Sequence, residues 1–323
     1  MDIKDKKILY VLDKNSRASF SQIAKATRIS QETVRYRVNA LKQSGVIQKF
    51  LTILNTTKLG NSYYQIMLKL QNVNEQRRKQ ILNFLEKNEN VAWIGNLEGN
   101  YDIAFILYVN NQVMLQRIIK DLYEQFSKFI MKKSISINLS GEFFPRDYLV
   151  NKERVQIKKT GYVPFEKPIV LDKIDKYICK LLSENARISS IEIANKLNIS
   201  SDSVLQRLKK LKKENIILGH NLILNQEKIG QSHYKILIYL TNISKEKEEK
   251  LISFVRMNNR VIAIVKTLAD WDYEIDLEVE NVNQLKKFTM DLTNQFSIII
   301  RDYDLIRIID MLKYTFYPNK ILK

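Results

Sequence analysis

The sequence predicts an α+β chain made of two tandem copies of one module, a winged helix-turn-helix followed by a ferredoxin-like βαββαβ domain. Three observations predict it. Residues of the first half recur at a constant offset of 170 positions. Each half opens with a three-helix pattern carrying capping signals. Each then continues as strand, helix, strand, strand, helix, strand.

The offset comes first, because an overlooked repeat misassigns a whole fold. Asp5, Ile8, Leu12, Asn15, Arg17 and Ser19 recur as Asp175, Ile178, Leu182, Asn185, Arg187 and Ser189. Ile23, Val34, Arg37 and Leu41 recur as Ile193, Val204, Arg207 and Leu211, and Asn55, Gly60, Asp102 and Phe126 as Asn225, Gly230, Asp272 and Phe296. No gap is needed. The unmatched stretch 146–170 holds Gly161, Pro164 and Pro168 and reads as a linker. The domains are therefore 1–54 (winged helix-turn-helix), 55–145 (βαββαβ), the linker 146–170, 171–224 (second winged helix-turn-helix) and 225–323 (second βαββαβ).

In each head the first helix (about 2–14 and 172–184) places Ile8, Leu9 and Leu12, or their counterparts, on one face. The second starts at Ser19 with Gln22, or Ser189 with Glu192: capping boxes, in which two side chains satisfy orphan backbone donors reciprocally. The third starts at Ser30 or Ser200 and buries Val34, Val38 and Leu41, or Val204, Leu208 and Leu211. Gly45 and Asn215 follow it, where a left-handed residue is wanted. Two short alternating runs, about 46–54 and 216–224, suit wing hairpins. In the first copy the βαββαβ elements fall at about 62–71, 74–89, 90–97, 101–110, 111–127 and 132–143. This order packs two helices on one face of a four-stranded sheet and leaves the other face to be covered.

The chain has 323 residues, 45% of them apolar, and a net charge of +18. Residues 2–50 carry +7 and 172–220 carry +4, so the basic excess concentrates in the two heads and favours a nucleic-acid partner. No run of 18 apolar residues suggests a membrane span. The N-terminus reads as a helix rather than a signal peptide. The single cysteine, Cys179, lies on an apolar helix face and excludes an intramolecular disulfide. These features fit a cytoplasmic protein.

The run LDKNSRASFSQIAKATRISQETVRYRVNALKQSGVI (12–47), with βαββαβ after it, resembles the Lrp/AsnC family of leucine-responsive or feast/famine regulators. The second copy, LSENARISSIEIANKLNISSDSVLQRLKKLKKENII (182–217), resembles it too, as do the turns EGNYD (98–102) and ADWD (269–272). The resemblance covers nearly all of the chain except the linker and tail. It implies binding to double-stranded DNA, dimers that assemble further, and control by an amino acid or other small effector. The tandem arrangement departs from the family's single-copy chain, so a homo-oligomer and an intrachain pseudo-dimer both stay open.

A helix-turn-helix reads base edges with the N-terminal part of its second helix, here the third of each head. The candidate DNA-contacting residues are Ser30, Gln31, Glu32, Thr33, Arg35, Tyr36, Arg37 and Asn39 in the first copy. In the second they are Gln206, Arg207, Lys209, Lys210 and Lys213. Arg35 is the expected main reader, because arginine grips guanine bidentately. Its counterpart is Leu205, and lysines cluster nearby, so the second copy is expected to add phosphate contacts more than specificity. A solvated helix face is the plainer reading of the same residues.

Glu98, Gly99, Asn100, Tyr101 and Asp102 are the candidate effector-binding turn, as the resemblance suggests; an ordinary tight turn needs the same Gly and Asn. On the third strand of the second copy, Asp270, Asp272, Glu274, Asp276, Glu278 and Glu280 form an acidic face. It reads either as solvated or as a site for a basic surface or cationic ligand, with Lys235 beside it. Neither His220 nor His233 has a paired acid at motif spacing, so no catalytic residue, metal site or cofactor is assigned. Two alternatives remain: a low-specificity architectural DNA binder, and a tetrapyrrole decarboxylase-like enzyme on the same fold.

Overall fold

The computed structural model describes residues 1–155, 160–163 and 166–317, so Pro164, one marker of the linker, lies outside the described residues. The first head comprises α1 (Ile3–Lys14), α2 (Phe20–Thr27) and α3 (Gln31–Gln43). There follow β1 (Ile47–Leu54), β2 (Ser62–Leu70), α4 (Glu75–Lys87), β3 (Val91–Glu98), β4 (Ile103–Val109), α5 (Gln112–Phe126) and β5 (Ile130–Phe143). The connecting segment carries a 3-10 turn, Asp147–Val150, and β6 (Thr160–Tyr162). The second head is α6 (Lys173–Glu184), α7 (Ser190–Leu197) and α8 (Ser201–Lys213). Then come β7 (Ile217–Leu224), β8 (Ser232–Leu240), α9 (Lys245–Met257), β9 (Val261–Leu268), β10 (Tyr273–Val279), α10 (Val282–Phe296) and β11 (Ile300–Tyr314). The α+β class and the duplication both hold.

Local chemistry sets the helix ends. Ser19 with Gln22 and Ser189 with Glu192 form complete capping boxes. Gly45 (φ +71°) and Asn215 (φ +54°) turn the chain left-handed just past α3 and α8.

Within the copies the strands run β5-β2-β4-β3 and β11-β8-β10-β9. Pairings β3–β11 and β9–β5 join the two sheets, and β2–β5 closes the ring into an eight-stranded barrel, with β6 added outside on β5. Closure removes the sheet edges. At one seam Arg307 faces Glu98; at the other Ile137 faces Leu268. These positions are equivalent under the 170-residue offset, so the two halves meet as an isologous pair within one chain. Outside the barrel, α4 and α5 press Ile81, Leu85, Ile118 and Leu122 onto Ile66, Phe105 and Leu107. The helices α9 and α10 do the same through Leu251, Val255, Phe288 and Leu292. Each such side chain contributes about 1.5–3 kcal/mol when fully buried.

Three expectations change. The runs 46–54 and 216–224 are not hairpins: β1 pairs antiparallel with β7, Phe50 opposite Leu222 and Thr52 opposite His220. Neither run contains a reversing turn, so each strand's backbone groups must be satisfied elsewhere, and the sister copy supplies the partner. In the described part of the segment 146–170, Arg146, Asp147 and Arg154 are buried, so the joining segment packs there onto the fold. Trp271, which strand alternation groups with Tyr273 and Ile275 on one face, packs instead with Met67, Tyr101 and Leu237 inside the barrel. It precedes the strand, so strand alternation does not bind it.

Candidate nucleic-acid interface

Each head is a three-helix core that turns one face of its third helix outward. In α3, Val34, Val38 and Leu41 are buried, while Gln31, Glu32, Arg35, Tyr36 and Asn39 are exposed. Tyr36 is 74% exposed, unusual for a large aromatic side chain. Arg35 lies 5.7 Å from the Phe20 ring centre. Ser30 is the N-cap: its Oγ accepts from the Thr33 amide at 3.2 Å and donates to Thr33 Oγ1 at 2.7 Å. Those two hydroxyls are thus occupied in starting the helix.

Arg37 is held differently. Its guanidinium donates to Asp2 at 2.7 Å and Asp5 at 2.8 Å, and Arg207 repeats this with Asp172 and Asp175, both at 2.7 Å. The recurrence of this arginine therefore marks a clamp between the first and third helices of each head. In α8, Leu205, Gln206, Lys209 and Lys213 are exposed. Lys210 bonds Asp175 at 3.1 Å.

The two heads interlock. Arg17 donates to the carbonyls of Ala186 and Ile188, and Arg187 to those of Ser16 and Ala18. The amides of Asn55 and Asn225 reach the carbonyls of Ile216 and Val46 at 2.8 and 3.0 Å. The anchoring of the heads to the barrel is asymmetric. Arg146 reaches from the end of β5 to Asp13 of α1 (2.6 Å) and forms a two-pronged bond to Glu278 (2.8 and 2.9 Å). At the equivalent places stand Phe316 and Ser183, and Phe316 and Tyr317 pack against the apolar core around Cys179.

The residues 98–102 do not form an open pocket. Tyr101 is buried and its hydroxyl meets Ser134 Oγ at 2.7 Å. Asp102 accepts from the Leu70 amide at 2.7 Å, as Asp272 does from Leu240. Asn100 donates to Asp304 at 2.6 Å, and Glu98 pairs with Arg307 at 3.4 Å, both on β11 of the other copy. At Gly99 (φ +131°) a Cβ would come within 3.0 Å of the Leu305 carbonyl. The turn is thus part of the seam between copies.

The acidic face of β10 is solvated only at its ends, where Asp270 and Glu280 are exposed. Its centre points into the barrel. Lys235 donates to Glu274 at 2.8 Å and Asp276 at 3.2 Å; Gln65 and Trp271 also donate to Glu274, at 2.7 and 3.0 Å. His233 Nε2 bonds Asp276 at 3.1 Å. Burial opposes ionisation of Asp276 and Glu278, but Lys235 and Arg146 outweigh it and hold both near 2. Asp13 is raised, because burial prevails there over Arg146. The sequence displayed Lys235 and the acidic alternation but gave no sign of Arg146, which lies outside the repeat.

A family model described as winged helix-turn-helix DNA-binding matches residues 1–48 and 171–217. An uncharacterised HTH-type transcriptional regulator of Pyrococcus abyssi is 33% identical over 121 residues, 37% of this chain and 80% of that protein. Another, from Pyrococcus horikoshii, is 32% identical over 139 residues, 43% of this chain and 79% of that protein. The chain belongs to the HTH-type transcriptional regulators. Among solved structures, Escherichia coli AsnC aligns with 42% of this chain and 91% of its own, at 24% identity and a TM-score of 0.36. The siroheme decarboxylase NirDL covers 99% of this regulator and 96% of itself, at 15% identity and a TM-score of 0.61, a likeness of fold. Among the described residues no helix is long and apolar enough to cross a membrane, and no three His, Cys, Asp or Glu are grouped to hold a metal ion.

Proposed function

We propose that this Lrp/AsnC-type regulator binds duplex DNA sequence-specifically through α3 and α8, one chain supplying both heads. The observation that carries the reading is the outward N-terminal half of α3, where Gln31, Arg35, Tyr36 and Asn39 are exposed above a buried Val34–Val38–Leu41 stripe. These side chains have the hydrogen-bonding geometry for adenine and guanine edges. Ser30 and Thr33 serve the helix start, and Arg37 and Arg207 set the helix's angle. The lysines of α8, Lys209 and Lys213 with Lys210 behind them, suit phosphates. The two heads differ in sequence, so the operator has unlike half-sites.

Selection from a random duplex pool tests this. A specific regulator enriches one motif, and Arg35→Ala erases part of it. An architectural binder enriches none, and that result rejects the proposal.

Control by an amino acid or similar effector at Glu98–Asp102 would act through the seam, since Asn100 and Glu98 already touch β11. Titrating amino acids into the DNA complex, with Asn100→Ala as control, tests it; mass in solution with and without amino acids tests assembly beyond one chain. A decarboxylase role finds less support. It rests on a likeness of fold at 15% identity.

A further inference from the structure

The barrel interior holds more charge than its fold requires. Positions 233, 235, 274, 276 and 278 correspond under the repeat to Tyr63, Gln65, Ala104, Ile106 and Tyr108. The first copy therefore builds the same half-barrel from neutral residues. Buried ion pairs are commonly no better for stability than apolar residues of the same size. The second copy nonetheless places Glu274, Asp276 and Glu278 there, with Asp13 beside them, against two cations, Lys235 and Arg146. The cluster carries an excess of carboxylate.

Next to it is a cavity of about 110 Å³, lined by Glu274, Asp276, Lys235 and His233 on one side. Tyr63, Trp93, Tyr108, Tyr162 and Tyr314 line much of the remainder. Two lining groups are buried without a hydrogen-bond partner, the Tyr63 hydroxyl and His233 Nδ1. His233 and Tyr63 are 5% and 2% exposed. His233 Nε2 lies 3.1 Å from an Asp276 carboxylate oxygen. Asp276 accepts two bonds and has lone pairs to spare. The spare lone pairs of Asp276 and the Tyr63 oxygen are acceptors, and the walls are electron-rich rings that attract cations.

We propose that this cavity is a binding site for a small organic cation, a primary amine on a compact apolar body. The ammonium would give its protons to Asp276 and Tyr63 beside His233, and the body would lie against the aromatic wall. A cavity of roughly 150 Å³ accepts benzene, so this smaller one limits the ligand to about four or five non-hydrogen atoms. Such a site works independently of how the heads read DNA.

Both tryptophans of the chain sit at the site: Trp93 lines the cavity and Trp271 bonds Glu274. Their emission is the readout. The full chain is titrated with n-propylamine, isobutylamine and n-butylamine, and with the matching alcohols, at fixed pH and ionic strength. At least one amine should give a saturable change, with its alcohol at least tenfold weaker. Asp276→Asn should weaken the amine at least tenfold and Tyr63→Phe about threefold, in protein whose circular dichroism is unchanged. No saturable change with any amine overturns the proposal, as does equal binding of amine and alcohol. Should Asp276→Asn fail to fold, the wild-type comparison and Tyr63→Phe decide.

Discussion

Arg17 and Arg187, related by the repeat, each extend a guanidinium into the other's head and hold two backbone carbonyls there. Burial lowers the pKa of both, and for Arg187 the charge of Arg17 adds to the effect. The pair fixes the two heads against one another. Hydrogen bonds from charged donors contribute about 1.5–3 kcal/mol. Arg17→Ala should cost about 2–3 kcal/mol in urea denaturation, and Arg187→Ala the same. The double variant should lose less than the sum, because the first change already frees the interface.

Arg146 satisfies two buried carboxylates on different elements. Arg146→Met should destabilise by about 3–5 kcal/mol, since Glu278 loses its two-pronged ion pair and Asp13 its buried cation. Adding Glu278→Gln should restore part of the loss. A single change costing under about 1 kcal/mol would show that water reaches the cluster.

Arg35 and Arg37 are two positions apart and should behave oppositely. Arg35→Ala should leave the melting temperature unchanged and cost about 1–3 kcal/mol on the matched operator, with little loss on scrambled duplex. Arg37→Ala should lower stability by under about 1 kcal/mol, as its ion pairs with Asp2 and Asp5 are partly solvated.

Lys209 and Lys213 are exposed on α8. Changing both to Gln should reduce the salt slope of DNA affinity by roughly 1.8, about 0.9 for each phosphate no longer neutralised, with the selected motif unaltered. An altered motif would assign them a reading role.

His220 faces Thr52 across the β1–β7 pair. Burial, then the charge of Arg17, depresses its pKa from 6.5 to about 3. The folded state keeps it neutral while the unfolded chain takes a proton. Stability is therefore fully present above the unfolded value and lost as pH falls from 6.5 towards 3. His220→Asn should flatten the dependence of stability on pH between about 6 and 5 by up to ~1.4 kcal/mol per unit.

The helix starts, the duplication and the βαββαβ order were legible because they rest on local chemistry: Ser19 with Gln22, Gly45, the Val34–Val38–Leu41 period and the alternation along β4. The exposed positions of α3 followed from the same period. Other features were not legible in this way. Arg37 recurs like a binding residue, yet it clamps α1, because which aspartates it meets depends on how the helices cross. The acidic alternation of β10 looks solvated, yet the sister sheet closes over it.

The sequence by itself settled what each segment is, because hydrogen-bond caps and apolar periods act over a few residues. Only the tertiary structure decided what each segment faces. Pairing β1 with β7 and joining the two sheets bring together residues far apart in sequence, such as Phe50 with Leu222 and Glu98 with Arg307, and local chemistry carries no information over that distance. The same closure excludes water from Lys235, Glu274 and Arg146, and desolvation turns an ordinary charged face into a buried cluster.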